Sequence, residues 1–237
     1  MSDKISILLP TRNRSRMLKE RAIPTVLGQS HENWELLVVG DCCIDDTEEV
    51  VKSFNDPRIK FFNLPEKIYH YPKDDAKAEW LAGPVYALNK ALEMVTGDYI
   101  ARLDDDDIWM DYHLKKSLSF LRHYDYEFVS SVAIAVENGV ARQIAPYFIN
   151  ANTSKAIQVG SVQTWLYSAE YESLKYNPEC WHRSWNANNE VDWYLRLYEE
   201  CDRFGYAYEY HALVLPRPGL TTIGSRAYIQ ERNELQK

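Results

Sequence analysis

Apolar and polar positions alternate in blocks along the first half of the chain, and each block has the length of one element. Ile5 to Leu9 is a short unbroken apolar run ended by Pro10, the pattern of a strand buried on both faces. A polar loop, TRNRS, follows. Leu18, Ala22 and Val26 then recur at helical spacing, and Pro24 among them predicts a break or kink. Trp34 to Val39 predicts a second buried strand, punctuated by Gly40. Asp46 to Phe54 reads as a helix capped by Asp46 or Thr47, and Ile59 to Phe62 as a third strand. Residues 63–84 hold Pro65, Pro72, Gly83 and Pro84 and show no period, so they read as a long loop of the kind used for lids and binding segments. Leu88, Ala91, Leu92 and Val95 form one apolar helix face, stopped by Thr96-Gly97-Asp98. A fourth strand, Tyr99 to Leu103, runs directly into Asp104-Asp105-Asp106-Asp107.

The second half is less regular. Leu114, Leu118 and Leu121 mark a helix, Phe128 to Val136 a strand, and Ala141 to Phe148 a weaker one. Val191, Tyr194, Leu195 and Tyr198 make another helical face, Ala212 to Leu215 a last strand, and the polar tail after Gly219 has no assigned element. Strand–helix–strand repeats predict an α/β fold with a mostly parallel central sheet flanked by helices. Ligands bind such sheets at the carboxyl ends of the strands. Thr11 to Asn13, Asp41 and Asp104 to Asp107 are therefore expected to converge on one crevice.

Composition sharpens this picture in three ways. A net charge of -8 argues against broad nucleic-acid binding and requires a local cation for any anionic ligand. No apolar stretch approaches the ~20 residues of a membrane span and nothing resembles a signal peptide, which predicts a soluble, cytoplasmic protein. The four cysteines, at 42, 43, 180 and 201, have no metal-finger spacing, and Cys42 and Cys43 are adjacent, so reduced thiols are expected.

Four aspartates in a row repel one another, and a divalent cation relieves that conflict. Mg2+ and Mn2+ take hard oxygen ligands, often one or two carboxylates plus phosphates and waters. Persistent strand geometry would put Asp104 and Asp106 on one side and Asp105 and Asp107 on the other, with one of the second pair free to cap the next helix. The spacing is not that of an EF-hand loop.

The segments ISILLPTRNR, ELLVVGDCCIDDT, ALNKALEMVTGDYIARLDDDDIW and NEVDWYLRL, in this order, resemble family 2 glycosyltransferases over roughly residues 4 to 200. The resemblance implies a single GT-A domain over 1–237, with a nucleotide-sugar half at 1–107, an acceptor half at 108–215 and a tail at 216–237. It also implies a UDP-, GDP- or dTDP-linked sugar donor, Mn2+ or Mg2+, and inverting transfer. Pro10, Thr11 and Arg12 match the nucleotide-contacting turn, and Asp41 the acid that accepts a hydrogen bond from the base. Gly40 and Cys42-Cys43 depart from that motif, where relatives carry an acid and Gly-Ser. Asp104 and Asp106 match the DXD metal-binding acids, and Asp105 lies between them at the donor. Arg102 is implied either to meet the diphosphate or to pair with the aspartates. Asn89 matches a position that fixes a loop or touches the donor.

Inverting transfer needs a carboxylate to take the acceptor hydroxyl's proton. Registering the family's helix on Leu195-Arg196-Leu197 puts Glu190 where relatives carry the base, usually Asp, and leaves Asp192 as its rival. The preceding segment CWHRSWNANN is implied acceptor territory, with Trp181 and Trp185 placed to stack on a sugar and His182 either to hydrogen-bond a hydroxyl or to help the metal. The expected acceptor is a glycan, a lipid-linked sugar or a small molecule; no nucleic acid partner is expected, and peripheral membrane contact is compatible with the chain. A non-catalytic nucleotide-sugar or carbohydrate-binding protein is the alternative. A nucleotidyltransferase would show a glycine-rich basic first loop, and a Rossmann dehydrogenase a GxGxxG after the first strand; PTRNR is neither.

Overall fold

The computed structural model describes residues 3–149, 156–182, 189–201 and 203–235. The chain runs β1 (Ile5–Thr11), α1 (Ser15–Met17), a π-helical turn (Leu18–Ala22), α2 (Ile23–Leu27), β2 (Trp34–Gly40), α3 (Thr47–Ser53) and β3 (Ile59–Asn63). Next come α4 (Ala76–Ala82), α5 (Val85–Leu92), β4 (Tyr99–Arg102), β5 (Asp107–Trp109), α6 (His113–His123), β6 (Phe128–Glu137) and β7 (Val140–Gln143). Then follow β8 (Tyr147–Ile149), β9 (Ile157–Val159), β10 (Leu166–Ser168), α7 (Asn189–Glu200), β11 (Phe204–Val214) and α8 (Gly224–Leu235).

The central sheet has the order β3-β2-β1-β4-β10-β6-β11-β5, with β7 paired to β6. Strands β3, β2, β1 and β4 are parallel, as the apolar runs predict. Beyond them β10 runs antiparallel to both β4 and β6, β11 is parallel to β6, and β5 is antiparallel to β11. One face packs on α5 and α7 around Leu88, Trp165, Trp193 and Leu197; the other packs on α2 and α6 around Ile23, Val26, Leu114 and Leu118.

The break foreseen at Pro24 takes the form of the π-turn immediately before it. Proline has no N–H for the carbonyl four residues back and its ring crowds that carbonyl, so a wider turn accommodates it. Asp46 holds the N-cap position of α3, as expected, but its side chain makes no capping bond; instead the Asp45 carboxylate accepts from the Thr47 backbone N–H at 3.3 Å and its hydroxyl at 2.6 Å. The helix through Leu88 ends at Leu92, about one turn before the Thr96-Gly97-Asp98 stop.

Three expectations are corrected. The stretch read as one long loop contains α4, whose start is fixed by Asp75: its carboxylate accepts from the N–H groups of Lys77 and Ala78, a cap worth about 1 kcal/mol. The prolines and glycine dominate the pattern there, yet they only flank the helix. The tail after Gly219 carries α8, which packs against α4. The weak strand at 141–148 divides into β7 and β8, and β8 leaves the main sheet to form a separate pair with β9. All four cysteines are free thiols, two buried and two half-buried.

Candidate active site

The carboxyl ends of β1, β2 and β4 open into a cleft of about 750 Å³. It is lined by Pro10, Thr11 and Arg12 from the end of β1, by Asp41 after β2, by Arg102 and all four aspartates after β4, and by Glu190 at the start of α7. The convergence expected from the sequence is therefore present.

The aspartate run does not stay extended. Regular pairing ends at Arg102, residues 105–106 form a turn, and the Asp107 N–H closes on the Asp104 carbonyl at 3.2 Å. Strict two-sided alternation is lost, and Asp107 opens β5 rather than capping a helix. Each of the first three carboxylates has its own partner. Asp104 takes two hydrogen bonds from the Arg102 guanidinium, at 3.1 and 3.0 Å. Asp105 accepts from the Thr11 hydroxyl at 2.8 Å and from Arg14 at 2.9 Å. Asp106 accepts from Arg217 at 2.7 Å and lies 3.8 Å from Arg14.

These environments set the charges. Burial pushes the Asp105 carboxyl up, Arg14 holds it back, and the neighbouring Asp106 adds to the push. Burial also works against an ionised Asp106, but Arg14 and Arg217 outweigh it and bring that carboxyl below its usual range. Asp107 is pushed well above it by burial and by the three other aspartates. A run of four like charges is thus resolved into acids of different affinity for a proton.

Arg217 reaches Asp106 because of two irregularities in β11. Its register shifts between Ala207 and Tyr210 and again between Tyr210 and Ala212, and bulges of this kind bend a strand. The far end of β11 then pairs Val214 with Asp107. Arg21 secures the junction, donating to the carbonyls of Asp106, Leu215 and Pro216 at 3.1, 3.3 and 2.7 Å. The segment beyond β11 continues along the cleft, where Ala227 and Tyr228 also form the wall. Neither Arg217 nor Tyr228 was found by sequence reasoning, because nothing in a polar tail signals which strand end it will cross.

At the other side Asp41 is buried, 2.9 Å from Lys67 and 3.6 Å from Arg12. Glu79 lies 3.3 Å from Lys67 and 3.5 Å from Arg12, closing a four-membered charge network. Burial pushes the Asp41 carboxyl up, Arg12 holds it back, and Glu79 adds to the push. Lys67 and Glu79 fall in the stretch read from the sequence as a lid or binding segment, although neither was singled out as a partner of Asp41. Gly40 has no room for the acid that relatives carry: a Cβ there would sit 2.5 Å from Asn63 Oδ1, which accepts from the Cys43 N–H at 2.8 Å. Cys42 adopts φ +57°, turning the chain away after Asp41.

The two candidate bases separate clearly. Glu190 lines the cleft, with a carboxylate oxygen 3.9 Å from Arg102. Asp192 is fully buried and accepts from Arg196 at 2.9 Å, away from the cleft lining. Arg102 is buried and donates to Asn189 at 2.8 Å as well as to Asp104, so one guanidinium ties the start of α7 to the aspartates. Asn89 fixes a loop: its amide donates to the Tyr176 carbonyl at 2.9 Å and accepts from the Tyr176 N–H at 2.7 Å.

The implied acceptor residues are not brought into the cleft. The Trp181 indole N–H donates to the His70 carbonyl at 2.8 Å, and exposed His182 pairs with Glu179 at 2.9 Å. Trp181 thus anchors its turn to the 64–75 segment, while His182 pairs within the turn. Trp185 lies outside the described residues.

Among the described residues no three His, Cys, Asp or Glu side chains converge as a complete metal cage. Asp104 and Asp106 still suit a hard divalent cation as a two-carboxylate platform, a donor set that Mg2+ completes with substrate phosphates and waters. No described helix is long and apolar enough to cross a membrane.

Comparison with known proteins agrees with this geometry. Residues 6–70 and 77–181 match the family model described as Glycosyl transferase family 2. The chain is 31% identical over 150 residues to the UDP-Glc:alpha-D-GlcNAc-diphosphoundecaprenol beta-1,3-glucosyltransferase WfgD of Escherichia coli, covering 62% of this chain and 53% of that protein. It therefore spans about half the length of that relative. Among solved structures, S. aureus TarS 1-349 in complex with UDP-GlcNAc superposes with a TM-score of 0.68 at 18% identity, over 92% of this chain and 60% of that one. The mannosyltransferase PcManGT from Pyrobaculum calidifontis, in complex with GDP-Man and Mn2+, gives 0.63 at 15% identity, over 92% and 59%. The chain belongs to glycosyl transferase family 2 and has the GT-A fold.

Proposed function

We propose that this family 2 glycosyltransferase moves a sugar from a nucleoside-diphosphate donor to an acceptor hydroxyl with inversion, and that Glu190 is the base. The observation that carries this reading is the meeting of Asp41, the aspartate run and Glu190 in one cleft, with Arg102 bridging Asp104 and the turn that holds Glu190. Asp41 and the Pro10–Arg12 turn receive the nucleoside. Asp104 and Asp106 would hold the divalent cation. When bound, that cation supplies Lewis-acid stabilisation of the departing diphosphate.

The chain's own groups do the rest. Glu190 accepts the proton of the acceptor hydroxyl while its oxygen bonds to the anomeric carbon and the bond to the diphosphate breaks. Arg102 holds Glu190 facing the donor, and Arg14 and Arg217 keep Asp106 ionised. The bound nucleotides of the two structural neighbours and the donor named for the E. coli relative support a UDP- or GDP-linked sugar. A sugar on a lipid-linked diphosphate, as in that relative's name, supports the same acceptor class here.

Calorimetric titration with UDP, GDP and dTDP, with and without Mn2+, tests the donor site. One nucleotide should bind in a metal-dependent way and lose that binding in Asp106→Ala. Absence of binding under every condition would refute the assignment.

A further inference from the structure

Asp41 does not stand alone at its side of the cleft. Its Oδ2 lies 2.9 Å from Lys67 Nζ and 3.6 Å from Arg12 Nη1, and the same two cations meet Glu79 Oε1 at 3.3 and 3.5 Å. Charges therefore alternate around a closed set of four, with a cation on either side of each acid. All four side chains line the cleft.

Three separate parts of the fold hold these groups in place. The Asp41 N–H donates to the Thr11 carbonyl at 2.8 Å, which sets Asp41 beside the Arg12 turn. The Lys67 side chain is only 8% exposed, and its ammonium lies 5.6 and 5.8 Å from the ring centres of Tyr69 and Tyr71. Glu79 comes from α4, and the Tyr71 hydroxyl donates to it at 3.4 Å. Arg12 Nη1 is a buried atom that makes no hydrogen bond among the described residues, and a buried donor of this kind is satisfied by a ligand oxygen.

An acceptor between two donors is the complement of one kind of base edge. Uracil and thymine present an imide, a ring N–H between two carbonyl oxygens. The N–H donates to the Asp41 carboxylate, and the two oxygens accept from Lys67 and Arg12, one each. Guanine presents one carbonyl and then two adjacent donor groups, so its 2-amino group would face a cation, donor against donor. Cytosine has a bare ring nitrogen in place of the N–H, which sets a lone pair against the Asp41 carboxylate, and an amino group in place of one carbonyl. We propose that Arg12, Asp41 and Lys67 together read the imide edge of a uracil or thymine base, so that the donor is a uridine or thymidine diphosphate sugar and not a guanosine one. The proposal rests on the transferase reading above and names its donor class. Glu79 is a positioning residue in it, holding both cations from the side opposite Asp41. The fold itself does not make this choice, since the TarS complex holds UDP-GlcNAc and the PcManGT complex GDP-Man.

The test is calorimetry on the wild-type protein with UDP, dTDP, GDP, CDP and 3-methyl-UDP, each in the presence of Mn2+. UDP and CDP form the sharpest pair, because they differ only at the edge in question. UDP or dTDP should bind at least about tenfold more tightly than GDP and CDP, and 3-methyl-UDP, whose imide N–H is blocked, should lose that advantage over CDP. The order of UDP and dTDP then tells which of the two bases serves. Two variants locate the readers. One of Lys67→Met and Arg12→Gln should narrow the gap to GDP about tenfold and the other the gap to CDP, because the two cations face opposite carbonyls. A merely structural or electrostatic role would weaken all the nucleotides alike and leave both gaps as they were. GDP or CDP binding as tightly as UDP and dTDP, full affinity for 3-methyl-UDP, or gaps unmoved in both variants would overturn the proposal. Failure of the wild-type protein to bind any nucleotide would instead sink the transferase reading itself.

Discussion

The parallel strands carry buried acids at both ends, and the two ends treat them in opposite ways. At the amino end Glu35 sits opposite Ser6 across β1 and β2, 2% exposed. It accepts from the Ser6 hydroxyl at 2.6 Å, from the N–H and hydroxyl of Thr96 at 2.9 and 2.7 Å, and from Lys60 at 2.7 Å, with Lys4 at 3.1 Å. Burial alone would raise this carboxyl, but Lys60, Ser6, Thr96 and Lys4 bring it down to about 2. At the carboxyl end four aspartates crowd into one turn, and two of them are pushed up by burial and by each other. A structural acid is surrounded by donors until its charge is fully met. The crowded acids carry more negative charge than their arginines answer, which favours capture of a cationic ligand.

This contrast can be broken or sharpened by substitution. Glu190→Gln removes the proposed base, so transfer should fall about a thousandfold while nucleotide affinity holds; equal loss of affinity in calorimetry would place Glu190 in the donor site instead. Glu35→Ala should cost about 3 kcal/mol, the free energy tied to its lowered pKa, and depress the thermal midpoint by about 10 °C in scanning calorimetry. Gly97→Ala probes the same end sterically. A Cβ at Gly97 would lie 2.7 Å from the Lys4 carbonyl and 2.9 Å from the Ser6 nitrogen, and overpacking of this kind costs about 2 kcal/mol in denaturant titration.

The pH dependence follows from Glu35 as well. Its folded pKa, about 2, lies below its ordinary 4.5, so its contribution is complete above pH 4.5 and is lost as pH falls toward 2. The acid limb of a stability–pH profile should therefore flatten over that window in Glu35→Gln. The smallest effect belongs to the aspartate turn: Asp107→Asn should leave the thermal midpoint within about 2 °C of wild type, since burial and the neighbouring aspartates already push that carboxyl toward its neutral form.

The half of the fold built by short-range rules was legible in the sequence. The runs ending at Pro10, Gly40 and the aspartates became β1, β2 and β4, because strands buried on both faces show as unbroken apolar stretches. The same rule placed Thr11, Asp41 and Asp104 at one edge. Elements of three residues, β5, β9 and β10, are too short to show a period, and β11 was seen only at its end, because Phe204–Tyr210 mixes aromatic and charged positions. The choice between Glu190 and Asp192 was also hidden: both sit in the first turn of one helix, and only the burial of Asp192 against Arg196 one turn on, together with the long-range pairing of Arg102 with Asn189, separates them. Trp181 and His182 misled for a related reason. Aromatic density looks the same whether it stacks on a ligand or anchors a turn, and the His70 carbonyl that decides the matter is 111 residues away.

The central claim is that the acidic turn serves a ligand and not the fold. It is tested most directly by measuring Mn2+-dependent nucleotide affinity and thermal midpoint together in Asp106→Asn. Lost metal-dependent affinity with an unchanged midpoint is the predicted result. Unchanged affinity with a midpoint lowered as far as that of Glu35→Ala would show that the turn, too, is merely structural.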